Sequence, residues 1–177
     1  SVLFISDDDG NLGAITEGIS TDLLRRKGPF CSCEDEKVGA ELYAESAGLF
    51  VIEGTSTDEN ACKAYSQIMD GTIAHHMARR AEVSVFDAND LILTINDSQA
   101  FELISNFPEL DGRVFSLSSY MASKGLVMKG EDGSIASVSI NDPAGEDLFT
   151  YKHTVLALKA WLEILFPYII KDLGAMR

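Results

Sequence analysis

Between the apolar run Val2–Ile5 and a helical pattern opening at Leu12 lie Ser6-Asp7-Asp8-Asp9-Gly10-Asn11, the residues best suited to chemistry. A serine hydroxyl attacks an electrophile once a base takes its proton. Adjacent carboxylates have two uses. They cap a helix N-terminus, where the backbone dipole favours negative charge, or they hold a hard cation such as Mg²⁺ through oxygen. Both uses fit here: Asp9 or Asn11 as the cap, or Asp8 and Asp9 as metal ligands. The spacing is not that of an EF-hand, because Asp7, Asp9 and Asn11 are followed by Leu12 where that loop requires glycine.

Other reactive residues form weaker patterns. Cys31-Ser32-Cys33 with Cys62 or His75-His76 offers soft ligands, but structural zinc sites pair cysteines two to four residues apart, and one tight pair is present. Cys31 and Lys37 have a nucleophile-to-cation spacing, yet Glu34-Asp35-Glu36 between them would raise a thiol pKa and repel phosphate. His75-His76 reads as a surface or helix-cap pair, and Arg79-Arg80 as a solvated helix face.

The elements that must position these groups follow from periodicity. Val2–Ile5 is a short continuous apolar run, the mark of a buried parallel strand. Leu12, Ile15, Ile19, Leu23 and Leu24 recur at helical spacing until Gly28-Pro29. Val38–Ala47 reads as helical and Leu49–Ile52 as a second apolar run. A helix over Ala61–Met69, a strand over Asp90–Ile95, a helix over Ser98–Asn106 and a strand over Arg113–Leu117 follow. Lys124–Ser139, with three glycines, reads as an insertion or hairpin, and a long helix spans about residues 146–172. In that helix the stripe through Leu158, Trp161, Leu162 and Leu165 reads as core, and Tyr151 as packing. Alternating strands and helices predict an α/β domain of three layers with a central parallel sheet of about four strands. Ligands of such sheets bind beyond the carboxyl ends of the strands, which places Ser6–Gly13 at the site.

The chain's 177 residues suit a single domain over 1–177, with inserts expected near 30–47 and 124–139. A formal net charge of −14 argues against nucleic acid and anionic lipid as partners. No apolar run reaches the roughly 18 residues of a membrane span. An odd count of three cysteines fits a reducing, cytoplasmic setting.

Four segments carry a resemblance. Val2-Leu3-Phe4-Ile5, a polar loop and Thr16-Glu17-Gly18-Ile19 resemble the opening of the low-molecular-weight protein tyrosine phosphatases. Ile52-Glu53-Gly54-Thr55-Ser56 is similar to that family's Ser-Ala-Gly-Thr-Ser. His76-Met77-Ala78-Arg79 followed by Asp90-Leu91-Ile92-Leu93-Thr94 resembles His-x-Ala-Arg and Ala-Asp-Leu-Ile-Leu-Thr-Met, and Asp142-Pro143-Ala144-Gly145 with Tyr151-Lys152 resembles Asp-Pro-Phe-Gly…Tyr-Arg. The resemblance implies a thiolate that attacks phosphorus, a loop and an Arg that cradle the phosphate, and an Asp that protonates the leaving oxygen.

In register with that pattern, Ser6 stands at the nucleophile position, Leu12 at the Arg position and Asp142 at the general-acid position; the ligand-binding loop is Asp7, Asp8, Asp9, Gly10, Asn11, Leu12 and Gly13. A like-charge pair 4 Å apart costs about 4 kcal/mol at an effective dielectric of 20. Three Asp against a phosphate dianion outweigh the roughly 0.3–1 kcal/mol typical of a charge at a helix N-terminus. The expectation is therefore a non-catalytic binding or regulatory member that needs no cofactor, acting on a protein or small-molecule ligand.

Two alternatives stand beside it. One is a metal-dependent phosphohydrolase using Asp7–Asp9 with Mg²⁺, a reading shared by the similarity of Ser6-Asp7-Asp8-Asp9-Gly10 to the opening of the survival-protein nucleotidases. The other is an interaction protein whose cleft is filled by Leu12 and Ile15. Asp142-Pro143 also has a purely structural reading, as a turn or a cap for the last helix.

Overall fold

The computed structural model describes residues 1–27, 42–126 and 139–175. Val2–Ser6 forms β1, and all five residues are buried, as a strand covered on both faces must be. Helix α1 (Leu12–Lys27) follows, then β2 (Ala44–Gly48), α2 (Glu59–Ile68), α3 (Val83–Asp87), β3 (Leu91–Thr94), α4 (Asp97–Asn106), β4 (Val114–Ser116), α5 (Leu117–Ser123) and α6 (Leu148–Ala175). The four strands are parallel in the order β2-β1-β3-β4. The expected three-layer α/β architecture is therefore present.

Alternation along β1 divides the core. Val2 and Phe4 pack with Ile15 and Ile19 of α1, Ala61 and Ala64 of α2, Tyr120 of α5 and Leu158 and Leu162 of α6. Leu3 and Ile5 face Val85 and Phe86 of α3 and Leu103 of α4 on the other side. Successive strand side chains point to opposite faces, so one apolar run supplies both cores.

Several local readings are corrected or extended. The strand beside β1 is Ala44–Gly48, not a helix over Val38–Ala47, and the apolar run Leu49–Ile52 is the loop after it. Ala-Glu-Ser-Ala-Gly has poor strand propensity, but β1 offers its whole edge from Val2 to Ser6, and pairing overrides propensity. Part of the insert expected near 30–47 is thus a core strand; residues 28–41 and 127–138 of the two inserts lie outside the described residues. The short helices α3 and α5 were not visible as periodic patterns. Lastly, α6 is long and apolar enough by composition to cross a membrane, although no unbroken apolar run of that length is visible in the sequence. It buries Tyr151, Val155, Leu158, Leu162, Leu165 and Ile169, while Trp161 is half-buried at the edge of that stripe.

Candidate functional site

The loop after β1 turns over the carboxyl end of the sheet and is stitched to the strand beside it. Leu49 donates its N–H to the Ser6 carbonyl at 3.0 Å, and Phe50 donates to the Asp7 carbonyl at 2.7 Å. The contact is close enough that a Cβ on Gly48 would lie 2.9 Å from the Asp7 carbonyl oxygen and the Asp9 nitrogen, so only glycine fits. The chain turns at Asp9, whose φ of 59° is left-handed, a conformation Asp tolerates better than most residues.

Each loop side chain has a defined place. Ser6 is fully buried, and its Oγ accepts the Asp9 N–H at 3.1 Å. Gln99 of α4 donates to Asp7 Oδ1 at 3.1 Å. Asp8 folds back on the loop: Oδ1 accepts the Gly10 N–H and Oδ2 accepts Asn11 Nδ2, both at 3.1 Å. Tyr151 donates to Asn11 Oδ1 at 3.3 Å, so its ring packs and its hydroxyl also reaches the loop. Leu12 is 2% exposed and lies with Ile15 in the core between the sheet and α6. Neither residue fills the cleft, which removes that alternative.

Asp9 turns the other way, beneath the loop. Its carboxylate is fully buried, and Oδ2 accepts the Arg79 N–H at 2.9 Å. Oδ1 has no hydrogen-bond partner and lies where a Cβ on Gly13 would be, 2.0 Å away. His76 Nε2 sits 3.0 Å from the Asp9 carbonyl and 3.4 Å from Oδ2, while its Nδ1 is 3.8 Å from Glu17. Burial disfavours the imidazolium, but the hydrogen bond and charge of Asp9, with Glu17 behind them, outweigh it and raise the His76 pKa. The caps expected from Asp9 or Asn11 are made by backbone instead: Ala14 N–H donates to the Asp9 carbonyl at 3.2 Å and Ile15 N–H to the Asn11 carbonyl at 3.0 Å.

Asp142 reaches the same end of the sheet from the segment before α6. Burial, followed by the charge of Asp8 and a smaller one from Asp7, raises its pKa to about 6, against the pull of the Ala144 N–H at 2.9 Å. That hydrogen bond is the turn expected of Asp-Pro. The cap at the start of α6 is Asp147, which accepts the Thr150 N–H at 2.8 Å.

A cleft of about 320 Å³ opens beside the loop, lined by Asp8, Gly10, Asn11, Phe50, Ile52, Thr55, Ser56 and Asp58. Asp8 and Asp9 do not converge on a shared point, since one faces the cleft and the other is buried under the loop. Among the described residues no three His, Cys, Asp or Glu side chains form a metal-ligand set. Cys62 is half-buried on α2, and burial raises its thiol pKa. Cys31, Cys33 and Lys37 lie outside the described residues.

The structural role of His76 and Arg79 was missed in the sequence, where they read as surface groups. Arg79 bonds Glu45 at 3.3 Å and the Ser46 carbonyl at 3.0 Å, and Arg80 bonds the Val51 carbonyl at 3.2 Å, so neither lies on a solvated helix face. A basic segment in a strongly acidic chain was the available signal.

A four-stranded parallel sheet with an N-terminal strand–loop–helix at its carboxyl end defines an α/β fold whose candidate ligand loop follows β1. The family model for low molecular weight phosphotyrosine protein phosphatases matches residues 30–174, and the chain belongs to that family. The match includes Asp142 and begins after Ser6–Gly13. The low molecular weight protein tyrosine phosphatase of T. tengcongensis is similar in structure, with a TM-score of 0.76 at 22% identity over 94% of this chain and 97% of that one. A mutant of YwlE from Bacillus subtilis gives a TM-score of 0.73 at 18% identity, covering 98% and 97%. A YwlE arginine phosphatase mutant with a phosphorylated active-site serine gives 0.74 at 19%, covering 98% and 95%. No curated protein sequence matched.

Proposed function

We propose that this chain is a non-catalytic member of its family, a binding or regulatory module rather than a phosphatase. The observation that carries this reading is the content of the loop. At the nucleophile position Ser6 is buried, and its hydroxyl accepts the Asp9 N–H. At the position where a cation would clamp phosphate, Leu12 is packed into the core. A serine hydroxyl is far less acidic than a thiol of pKa about 8.5, so it needs a base, and Ser6 Oγ is paired with the Asp9 N–H rather than with a carboxylate or an imidazole.

The electrostatics support the same reading. The Gly10 N–H, a donor of the kind that cradles phosphate, is taken by the carboxylate of Asp8. An incoming dianion would meet Asp8 and Asp58 at the cleft with no guanidinium to offset them.

The test is hydrolysis of an aryl phosphate, first in EDTA and then in excess Mg²⁺ or Mn²⁺, with Ser6→Ala alongside. No turnover under either condition is expected. Turnover in EDTA that Ser6→Ala abolishes would overturn the proposal. Turnover only with metal, lost in Asp8→Ala, would replace it with the metal-dependent phosphohydrolase. One structural neighbour carries a phosphoryl group on its active-site serine. Mass spectrometry of Ser6 after incubation with the ester therefore belongs in the assay, because a stable phosphoserine would show attack without turnover.

A further inference from the structure

The cleft combines two large apolar side chains with two carboxylates, Asp8 and Asp58. Phe50 and Ile52, on either side of the buried Val51, line it while 64% and 82% exposed, a large apolar display for one short loop. They are held there by short backbone bonds: Phe50 N–H to Asp7, and Thr55 N–H to the Ile52 carbonyl at 3.2 Å. The charged groups of the lining are both carboxylates. Asp8 faces the cleft from the loop, and Asp58 from the N-terminus of α2. Gly10, Asn11, Thr55 and Ser56 complete the lining.

None of these lining residues carries a positive charge. Three groups of the basic segment are engaged elsewhere, His76 beneath the loop on Asp9, Arg79 on Glu45, and Arg80 on the Val51 carbonyl. Two of the loop donors are already taken, the Asp9 N–H by Ser6 Oγ and the Gly10 N–H by Asp8. Asp142 adds a third carboxyl beside Asp8. The cleft thus offers the apolar surface of Phe50 and Ile52 for an aliphatic stem, with the carboxylates of Asp8 and Asp58 in the same lining for a charged head.

We propose that this cleft seats the cationic side chain of an Arg- or Lys-bearing segment of a partner protein. The stem lies between Phe50 and Ile52, where the Phe50 ring face also attracts a guanidinium, and the head reaches Asp8 and Asp58. The proposal rests on the non-catalytic reading above and names what the altered loop would bind instead of phosphate.

The experiment uses the ¹⁵N-labelled full chain at low salt. It is titrated with the peptide acetyl-Gly-Arg-Gly-amide, and in parallel with acetyl-Gly-Glu-Gly-amide and with inorganic phosphate. The Arg peptide is expected to shift the amide signals of Gly10, Asn11, Phe50 and Ile52 at millimolar concentration, and less so as salt is added. Asp58→Asn keeps an N-cap for α2 and is expected to weaken binding about two- to fivefold. Phe50→Ala, a change at an exposed position, should weaken it as well.

Shifts with phosphate or the Glu peptide but not with the Arg peptide would overturn the proposal. So would no shift at all, or shifts spread over the acidic surface and unchanged in Asp58→Asn. Failure here without aryl phosphate turnover refutes the ligand and leaves the non-catalytic reading intact; turnover refutes that reading whatever the peptide does.

Discussion

Replacing Gly13 by Ala tests the central feature of the loop, the carboxylate of Asp9 buried against the first turn of α1. The added Cβ would lie 2.0 Å from Asp9 Oδ1, 3.0 Å from its Cγ and 3.2 Å from Ser6 Oγ. Asp9 has no open direction, being fully buried and held by Arg79 N–H at 2.9 Å. If the carboxylate stays, overpacking costs about 1–3 kcal/mol. If it moves, a hydrogen bond to a charged group worth about 1.5–3 kcal/mol is lost. Against either stands the gain of up to about 1 kcal/mol from Gly→Ala in a helix.

The net expectation for Gly13→Ala is a destabilisation of about 0.5–2 kcal/mol, read as a lower urea midpoint and a fall in Tm of about 1–8 °C. A double-mutant cycle with Asp9→Gly isolates the cause, since glycine accepts the φ of 59° and removes the clash. In that background Gly13→Ala should become neutral or stabilising. A wild-type chain that tolerates Gly13→Ala, or one equally harmed with and without the Asp9 side chain, would refute the buried placement of this carboxylate.

Leu12→Ala removes a core side chain that is 2% exposed, and should cost about 2–5 kcal/mol in denaturant unfolding; a near-neutral result would place Leu12 outside the core. Because the folded pKa of His76 is raised above its usual 6.5, its contribution is fully present below that value and is lost as pH rises through the folded pKa. The stability of the wild type should therefore fall across and above pH 6.5 relative to His76→Gln, measured by urea midpoints. Asp142 is raised from 3.8 to about 6, so the native state holds its proton longer, and its stabilising contribution fades as pH climbs from about 4 to 6. Asp142→Asn should flatten that slope and leave the protein more stable at pH 7, with a steeper slope in the variant as the contrary result.

The site was half legible. Ser6 to Gly13 could be placed at the carboxyl end of a parallel strand because a four-residue apolar run followed by a polar loop and a helical stripe leaves little choice of local structure. The resemblance of Asp142-Pro143 to a family segment marked Asp142 for the same region, whereas His76 and Arg79 read as surface groups. What could not be read was the division of labour among three consecutive acids. Asp7 goes to Gln99, Asp8 to its own loop, and Asp9 inward to Arg79, partners 92, 2 and 70 positions away. Likewise β2 was hidden, because Ala-Glu-Ser-Ala-Gly becomes a strand only beside the edge of β1.

By itself the sequence determined the layered α/β class, the strand–loop–helix opening and the absence of a thiol at Ser6 or a guanidinium at Leu12. These depend on side-chain chemistry and on periods of a few residues, which are local. Tertiary structure alone decided that Leu12 points into the core, that Asp9 is buried beneath the loop, and that Phe50 and Ile52 frame an open cleft. Each of those outcomes depends on what packs against the residue from far along the chain: α6 over Leu12, Arg79 and His76 under Asp9, and the turn after β2 beside Asp8. Burial and hydrogen-bond partners are properties of the assembled layers, and a carboxylate acquires its role only when those neighbours arrive.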